Sequence, residues 1–252
     1  MTRSQEQRTA ADTCLERARF DVFIEGEVVD LCAPSDEPWV LDQWYRWFNK
    51  KSVTTYLAQG MFPNTRQAQK AFFDSVTAAK DRLVLMIKPK HEERFIGVAS
   101  LSSIDRIQRQ CDFAMVIGEQ LDSADSLFFA LETKCRMTEH AFEVVGVERI
   151  NSTQVVDLIK WQRWQILFGY QVEGVLRKKF RKGRHVYDVF VSSCLLEDYL
   201  ALRKLRHDAF WPGKTQMFEL LKLLPPRTLL DESLEWLKEK QDQYWKTLTF
   251  GV

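Results

Sequence analysis

The segment from Phe113 to Lys134, FAMVIGEQLDSADSLFFALETK, reads as a strand that passes through a short acidic loop into a helix. Unpaired backbone amides at the start of a helix commonly bind a phosphate, and glycines there let the ligand come close. No glycine follows Gly118 in this segment, and Asp122 and Asp125 place two carboxylates where an anion would approach. The segment therefore predicts an anion site that is altered in both shape and charge.

A second group of residues with phosphate-binding chemistry is the run RKKFRKGRH, Arg177 to His185, which contains seven basic side chains. Such a cluster can hold a phosphate of a cofactor, a nucleotide-sugar or a nucleic acid. A solvated hairpin tip explains the run equally well, because charge runs usually have that role. Four tryptophans could stack on a base or a sugar, although their helical spacing is typical of core residues: Trp44, Trp47, Trp161 and Trp164.

Composition excludes several other classes of function. The 252 residues carry a formal net charge of +1, which disfavours nucleic acid and anionic membranes as partners. Five scattered cysteines form no Cys-x-x-Cys pair, and the histidines have no convergent spacing, so no metal site is predicted. The amino terminus is polar, and no apolar run reaches the ~20 residues that span a bilayer. We therefore expect a soluble cytoplasmic protein with no membrane partner.

The order of periodic segments predicts the elements. A short strand pair from Val22 is followed by a helix from Pro38 to Phe48 and a second helix capped by Thr65. Three antiparallel strands follow, with a turn at Lys90 to Glu93 between the first two. Next come the helix that ends near Gly146, a strand, a helix that ends at Gly169, and a final hairpin that turns at Lys182 and Gly183.

The chain divides into three parts by character. Residues 1–20 predict a polar arm, residues 21–196 a mixed domain, and residues 197–252 a helical extension. The apolar positions of the extension predict that it packs on the domain or on a second copy in a homodimer: Leu200, Leu202, Phe210, Phe218, Leu221, Trp236, Leu237 and Trp245.

Three stretches carry a family resemblance. WYRWFNKKSVTTYLAQGMFPNT resembles a Trp-x-Asn-Asp-x-x-Val-x-x-Tyr-Leu pattern, with Lys50 in place of the Asp. AFEVVGVERINSTQV is similar to a helix end that leads through Gly-x-x-Arg-Ile into a strand. LFGYQVEGVLRKKFRKGRHVYDVFV is similar to Gly-Phe-x-x-Glu-Gly-x-x-Arg followed by a basic hairpin. Together they cover roughly residues 22 to 200 and resemble the GNAT-type N-acyltransferases, in their ribosomal-protein and nucleotide-sugar acetyltransferase branches.

The resemblance implies an α/β (α+β) fold with a central mixed, largely antiparallel sheet flanked by helices. The sheet would splay between the strand that ends at Ile117 and the strand Arg149 to Val156. It implies acetyl-CoA as the acyl donor, with no metal. The donor would lie at Met115, Val116, Ile117, Leu121, Asp122, Ser123, Ala124, Asp125, Ser126 and Arg163. The acceptor would lie at Trp47, Asn49, Tyr56, Gln59, Met61 and Glu119.

The resemblance also assigns chemistry. Asp112 begins the strand that opens toward the acyl group, so it is the candidate base that deprotonates the amine. The loop Leu121 to Ser126 stands where the family binds the CoA pyrophosphate, and Phe128 and Phe129 stand at positions of small residues. Leu158 and Gln165 replace an Asn and the Tyr that protonates the leaving thiolate in many members.

These observations favour an N-acetyltransferase that acts on a small amine, with a nucleotide-linked amino sugar for surface glycans as the preferred acceptor. A protein or peptide amine acetyltransferase is the nearest alternative. A degenerate fold retained for binding or assembly, or an enzyme with a different donor or a nucleobase acceptor, remains a further alternative.

Overall fold

The computed structural model describes residues 20–248. The predicted amino-terminal arm lies outside them apart from Phe20. The chain forms two compact units, which divide between Gly146 and Val147. The predicted part from residue 197 onward falls within the second unit, and its separate boundary stays a prediction.

The first unit is built on five antiparallel strands that pair in chain order. They are β1 (Val22–Ile24), β2 (Val29–Cys32), β3 (Leu83–Pro89), β4 (Gly97–Asp105) and β5 (Gln110–Ile117). Four helices join them: α1 (Pro38–Trp47), α2 (Lys51–Thr54), α3 (Arg66–Ala78) and α4 (Ser126–His140). The predicted helix from Pro38 and the predicted Thr65 cap are confirmed, because the Thr65 hydroxyl accepts from the Ala68 amide at 3.1 Å.

Alternating side chains on these strands bury both faces of the sheet. On one face Trp44 and Trp47 of α1 and Phe73 of α3 pack against Met86 and Val98. On the other face lies α4, whose Lys134 ammonium sits 3.8 Å from the centre of the Phe113 ring. The tryptophans of α1 are therefore core residues. Burial next to α4 also raises the pKa of the Cys111 thiol to about 12, which keeps that thiol protonated.

The second unit is a three-stranded antiparallel sheet with helices at its edges. Strand β8 (His185–Leu195) pairs with β6 (Arg149–Val155) on one side and with β7 (Gln171–Lys182) on the other. Helix α5 (Ile159–Gln165) precedes β7, and Gly169 ends the segment between them with φ of +77°, a left-handed conformation that glycine adopts readily. The predicted hairpin turn after Lys182 is confirmed.

Three helices complete this unit: α6 (Leu196–Leu205), α7 (Lys214–Lys222) and α8 (Leu229–Leu248). Leu230 of α8 is buried against Val172 and Phe190 of the sheet, and the Tyr199 and Phe210 rings lie 4.7 Å apart. The predicted packing of the extension is therefore confirmed for these anchors. Leu200, Phe218 and Trp236 are instead at least half exposed.

Candidate functional site

The end of α1 is joined to the end of β5 by one hydrogen bond. Trp47 is fully buried, and its Nε1 donates to Oε1 of Glu119 at 3.1 Å. Gly118 makes this contact possible, since a Cβ at that position would lie 2.2 Å from Cγ of Trp47. The end of α1 and the end of β5 therefore lie side by side, and the assignment of Trp47 and Glu119 to the acceptor site stays a prediction.

Two cations complete the surroundings of Glu119. Nη1 of Arg94 lies 3.5 Å from Oε2, and Nζ of Lys50 lies 4.0 Å from Oε1 and donates to the Gly118 carbonyl at 3.4 Å. The Glu119 side chain keeps 23% of its surface exposed, so a ligand can still reach it. Sequence analysis missed Arg94, because only the pairing of β4 with β5 brings it beside residue 119. Lys50, noted there only as a replacement, is a member of the site.

Asn49 fixes the loop that follows α2. Its Oδ1 accepts from the Asn64 amide at 2.8 Å, and its Nδ2 donates to the Asn64 carbonyl at 2.9 Å. Asn64 in turn donates from Nδ2 to Oε1 of the buried Gln69 at 2.9 Å. Asn49 therefore positions the loop through backbone groups, which is a structural role beside the predicted acceptor site.

This loop and α3 enclose a cavity of about 280 Å³, here called the loop pocket. Its wall is apolar and aromatic, with amide side chains as the polar groups: Phe48, Ala58, Gln59, Gly60, Met61, Phe62, Pro63, Asn64, Gln69 and Phe72. The predicted residues Gln59 and Met61 line it, whereas Tyr56 does not. Because Phe48 follows Trp47 directly, the pocket and Glu119 flank the same end of α1.

The backbone amides of β5 point in alternating directions, and only some of them donate to β4. Gly118 N donates to the Ile96 carbonyl at 2.7 Å, and the register pairs Ile117 with Gly97 and Val116 with Val98. In an antiparallel ladder the amides alternate in direction, so Val116 donates toward β4 while Met115 and Ile117 point away from it. The amides of Met115 and Ile117 are therefore the ones in this segment that do not donate to β4. The assignment of Met115, Val116 and Ile117 to the donor site stays a prediction.

The acidic loop leads into α4 as predicted, but its neighbouring side chains do not lie where expected. Phe128 and Phe129 are each 6% exposed and pack inside the first unit, because they follow one helical turn onto its buried face. They therefore do not hold a phosphate away from the helix, and that expectation was wrong. The Ser126 amide donates to the Ser123 carbonyl at 3.1 Å and the Phe128 amide donates to the Asp125 carbonyl at 2.8 Å, so two early amides are already engaged.

Asp112 lies at the far end of β5. Its side chain is exposed, and within residues 20–248 no hydrogen bond or ion pair to it is formed. Gly118 lies six positions further along the chain, a distance of roughly 20 Å at ~3.3 Å per residue. Asp112 and Glu119 therefore cannot act on one small acceptor together, and the base assignment of Asp112 stays a prediction.

In the second unit, the two residues that sequence analysis connected with the donor are engaged locally. Nη2 of Arg163 lies 3.2 Å from Oδ1 of Asp231 at the start of α8. Gln165 is 1% exposed, accepts from the Ser152 hydroxyl at 3.1 Å and donates to Oε1 of Gln154 at 3.1 Å. The Gln165 amide therefore links α5 to β6 through two hydrogen bonds.

Comparison with known proteins agrees with this architecture. A family profile described as an acetyltransferase (GNAT) domain matches residues 34–157, which contain the whole site around Trp47, Glu119 and β5. The chain carries a GNAT acetyltransferase domain. The predicted superfamily and the α/β fold class are confirmed, and the protein is an acetyltransferase by family. No curated protein matches the chain by sequence.

Solved structures with the GNAT fold cover most of the chain. A spermidine N-acetyltransferase from Vibrio cholerae in complex with CoA and spermine has a TM-score of 0.61 at 18% identity, over 69% of this chain and 99% of that one. A GCN5-related N-acetyltransferase from Brucella melitensis has a TM-score of 0.62 at 19% identity, over 79% and 93%. The microcin C7 self-immunity acetyltransferase in complex with acetyl-CoA and AMP has a TM-score of 0.56 at 20% identity, over 68% and 94%. At such identities the likeness shows the fold.

Within residues 20–248, no group of His, Cys, Asp and Glu side chains is placed to hold a metal ion. In the same part of the chain, every helix is too short or too polar to cross a membrane.

Proposed function

We propose that this protein transfers an acetyl group from acetyl-CoA to the amine of a small molecule, and that the acceptor is a nucleotide-linked amino sugar. The observation that carries the proposal is the loop pocket beside Glu119. Its wall combines aromatic rings with amide groups and contains no charged side chain among residues 58–64, Phe48, Gln69 and Phe72. A planar base fits such a wall, while a polyamine would need carboxylates.

The chemistry follows from the groups around the end of β5. The amine attacks the thioester carbonyl carbon, the C–N bond forms, and the amides of Met115 and Ile117 donate to the oxygen as it gains charge. The C–S bond then breaks, the nitrogen releases its extra proton to solvent, and the thiolate takes a proton from water. The ammonium must lose its proton before attack, and the Glu119 carboxylate is the group that can attract the cation and pass that proton to solvent. Arg94 and Lys50 keep this carboxylate in place.

Two relatives by fold supply a choice of acceptors to test. One was solved with spermine and another with AMP beside acetyl-CoA. We expect measurable acetylation of a uridine-diphosphate-linked amino sugar, detected by chromatography of the product, and at least tenfold lower kcat/KM with spermidine or with a peptide amine. Faster acetylation of spermidine or of the peptide would refute the acceptor assignment. Absence of product with every amine, together with no binding of acetyl-CoA, would favour a fold retained for binding or assembly.

Variants separate the pocket from the carboxylate. Phe62 is 82% exposed, so Phe62→Ala should raise KM for the sugar nucleotide several-fold without loss of stability. Ile107→Ala is the matched control, because Ile107 is 89% exposed and lies in the turn between β4 and β5. Glu119→Gln keeps the hydrogen bond from Trp47 but removes the charge, and should lower kcat/KM by about tenfold or more. Equal KM values for wild type, Phe62→Ala and Ile107→Ala would contradict the role of the pocket.

A further inference from the structure

Three cationic side chains line a groove within the second unit. Val175 and Leu237 form part of its floor, and Arg177, Lys178 and Lys179 form one wall, around a cavity of about 680 Å³. Asp188 is the one carboxylate among the residues that line it. We call this cavity, together with the neighbouring one described next, the hairpin groove.

The groove continues along α8 into a second cavity of about 430 Å³, which shares Val175 and Leu237 with the first. Trp236 lines this part and is 53% exposed, although burial of a tryptophan ring is strongly favourable in free energy. Glu232 and Ser233 lie beside it. The hairpin groove thus has a cationic end and an aromatic end with hydrogen-bonding groups next to the ring.

A bulge in β7 creates the cationic end. The pairing with β8 shifts register between Leu176 and Phe180, and Lys178 has φ of +53°, which is uncommon for a residue with a side chain. The Lys178 amide donates to Oδ1 of Asp188 at 2.6 Å and fixes this conformation. In a regular strand the middle one of three consecutive side chains faces the opposite side of the sheet. Here all three line one cavity, and bulges of this kind often re-aim side chains at functional sites.

We propose that the hairpin groove binds a nucleoside diphosphate group. Arg177, Lys178 and Lys179 hold the two phosphates, because these three cationic side chains outnumber Asp188, the one carboxylate of the cavity, whose Oδ1 already accepts from the Lys178 amide. The base stacks on Trp236, and Glu232 accepts hydrogen bonds from the ribose hydroxyls. Each of the two cavities falls in the size range of pockets for small ligands, ~300–1,000 Å³. The proposal concerns binding alone and does not depend on the proposed acceptor.

Two kinds of ligand carry a nucleoside diphosphate group, and titration can distinguish them. The diphosphate can belong to the acyl donor, whose CoA part ends in an adenosine phosphate, or to a separate nucleotide or nucleotide-linked molecule. Full-length protein is titrated by calorimetry with ADP, UDP and inorganic pyrophosphate, each with and without saturating CoA. Competition by CoA identifies the donor as the source, and binding of ADP or UDP that CoA leaves unchanged identifies a separate nucleotide.

Substitutions then locate the binding. We expect ADP or UDP to bind more tightly than pyrophosphate, Arg177→Ala with Lys179→Ala to weaken the nucleotide at least tenfold, and Trp236→Ala to weaken the nucleotide about tenfold but leave pyrophosphate unchanged. Lys160→Ala with Lys204→Ala is the control for lost charge, and Leu205→Ala is the control for a lost exposed apolar side chain on α6. Both controls should bind as wild type does.

Three results would overturn the proposal. Nucleotide binding could be absent at low salt, or the control pair could weaken it as much as the groove variants do. Alternatively, a fluorescent single-stranded RNA could bind more than a hundredfold more tightly than ADP and lose affinity in Arg177→Ala with Lys179→Ala. That last result would make the hairpin a nucleic-acid surface, with the steep salt dependence expected of one.

Discussion

Trp47 Nε1 donates to Glu119 Oε1 at 3.1 Å, although 72 positions of sequence separate the two residues. The bond joins the end of helix α1 to the end of strand β5 at one carboxylate. Replacing Trp47 by Phe keeps an aromatic ring but removes the donor. Hydrogen bonds to charged groups contribute ~1.5–3 kcal/mol, so we expect Trp47→Phe to lower the free energy of unfolding by about that amount and to raise KM for the amine.

Trp44→Phe provides the control for that change. Trp44 is 1% exposed on the same helix, and its Nε1 has no acceptor within the described part of the chain. Removal of this N–H therefore costs no hydrogen bond. Urea unfolding should show a smaller loss of stability for Trp44→Phe than for Trp47→Phe. Equal losses would mean that the smaller ring volume, and not the lost hydrogen bond to Glu119, lowers the free energy of unfolding.

Gly118→Ala should disrupt the same junction sterically. The new Cβ would lie 2.2 Å from Trp47 Cγ, and a buried indole packed on both sides cannot retreat. Overpacking typically costs ~1–3 kcal/mol, and we expect at least the middle of that range together with a loss of kcat/KM. Gly174→Ala is the matched control, since nothing lies within 4 Å of a Cβ there. A Gly118→Ala protein as stable as Gly174→Ala would contradict the packing.

The acidic loop should weaken the binding of acetyl-CoA through charge alone. Asp122→Asn with Asp125→Asn should lower the Kd for acetyl-CoA about threefold to tenfold, because a like-charge contact at 4 Å in water costs ~1 kcal/mol. Titration calorimetry at low salt measures the effect. Asp81→Asn is the control, because Asp81 precedes β3 at the end of the first unit's sheet that lies away from the acidic loop, and this variant should leave the Kd for acetyl-CoA unchanged. Weaker binding by the double variant would show that the aspartates serve a competent donor site. Phe128→Gly is not a suitable variant for this purpose, because removal of a buried ring costs ~3–5 kcal/mol of stability.

The free energy of unfolding should depend on pH through Asp231. Burial opposes its charge, but hydrogen bonds from Thr228 and the positive charge of Arg163 outweigh this and hold its pKa below the ordinary 3.8. Because the folded pKa is depressed, this stabilisation is complete above pH 3.8 and is lost as the pH falls through the folded value. Asp231→Asn should therefore be less stable than wild type at pH 7, by urea unfolding, and the difference should shrink below pH 4. Glu239→Gln, an exposed carboxylate of α8, should show no such pH-dependent difference.

The sequence by itself determined the family and most elements. The periodicity of residues 38–48 and the capping threonine at 65 are local signals, since they depend on residues three or four positions apart. The order of the three motif stretches then predicted the GNAT architecture and the region of the acceptor site. Trp47 and Glu119 could both be proposed for that site, because each stands at the end of an element that the pattern itself defines.

Only the tertiary structure decided where the side chains lie and what they contact. Arg94 approaches Glu119 because β4 and β5 pair in one register, and a register is a long-range property that local pattern leaves open. Phe128 looked like an obstacle to phosphate in a linear motif, yet the rotation of α4 turns it into the core. Likewise the bulge at Lys178 puts three consecutive cations on one side of β7. Side-chain direction depends on how the backbone is twisted and packed, and residue types alone do not specify it.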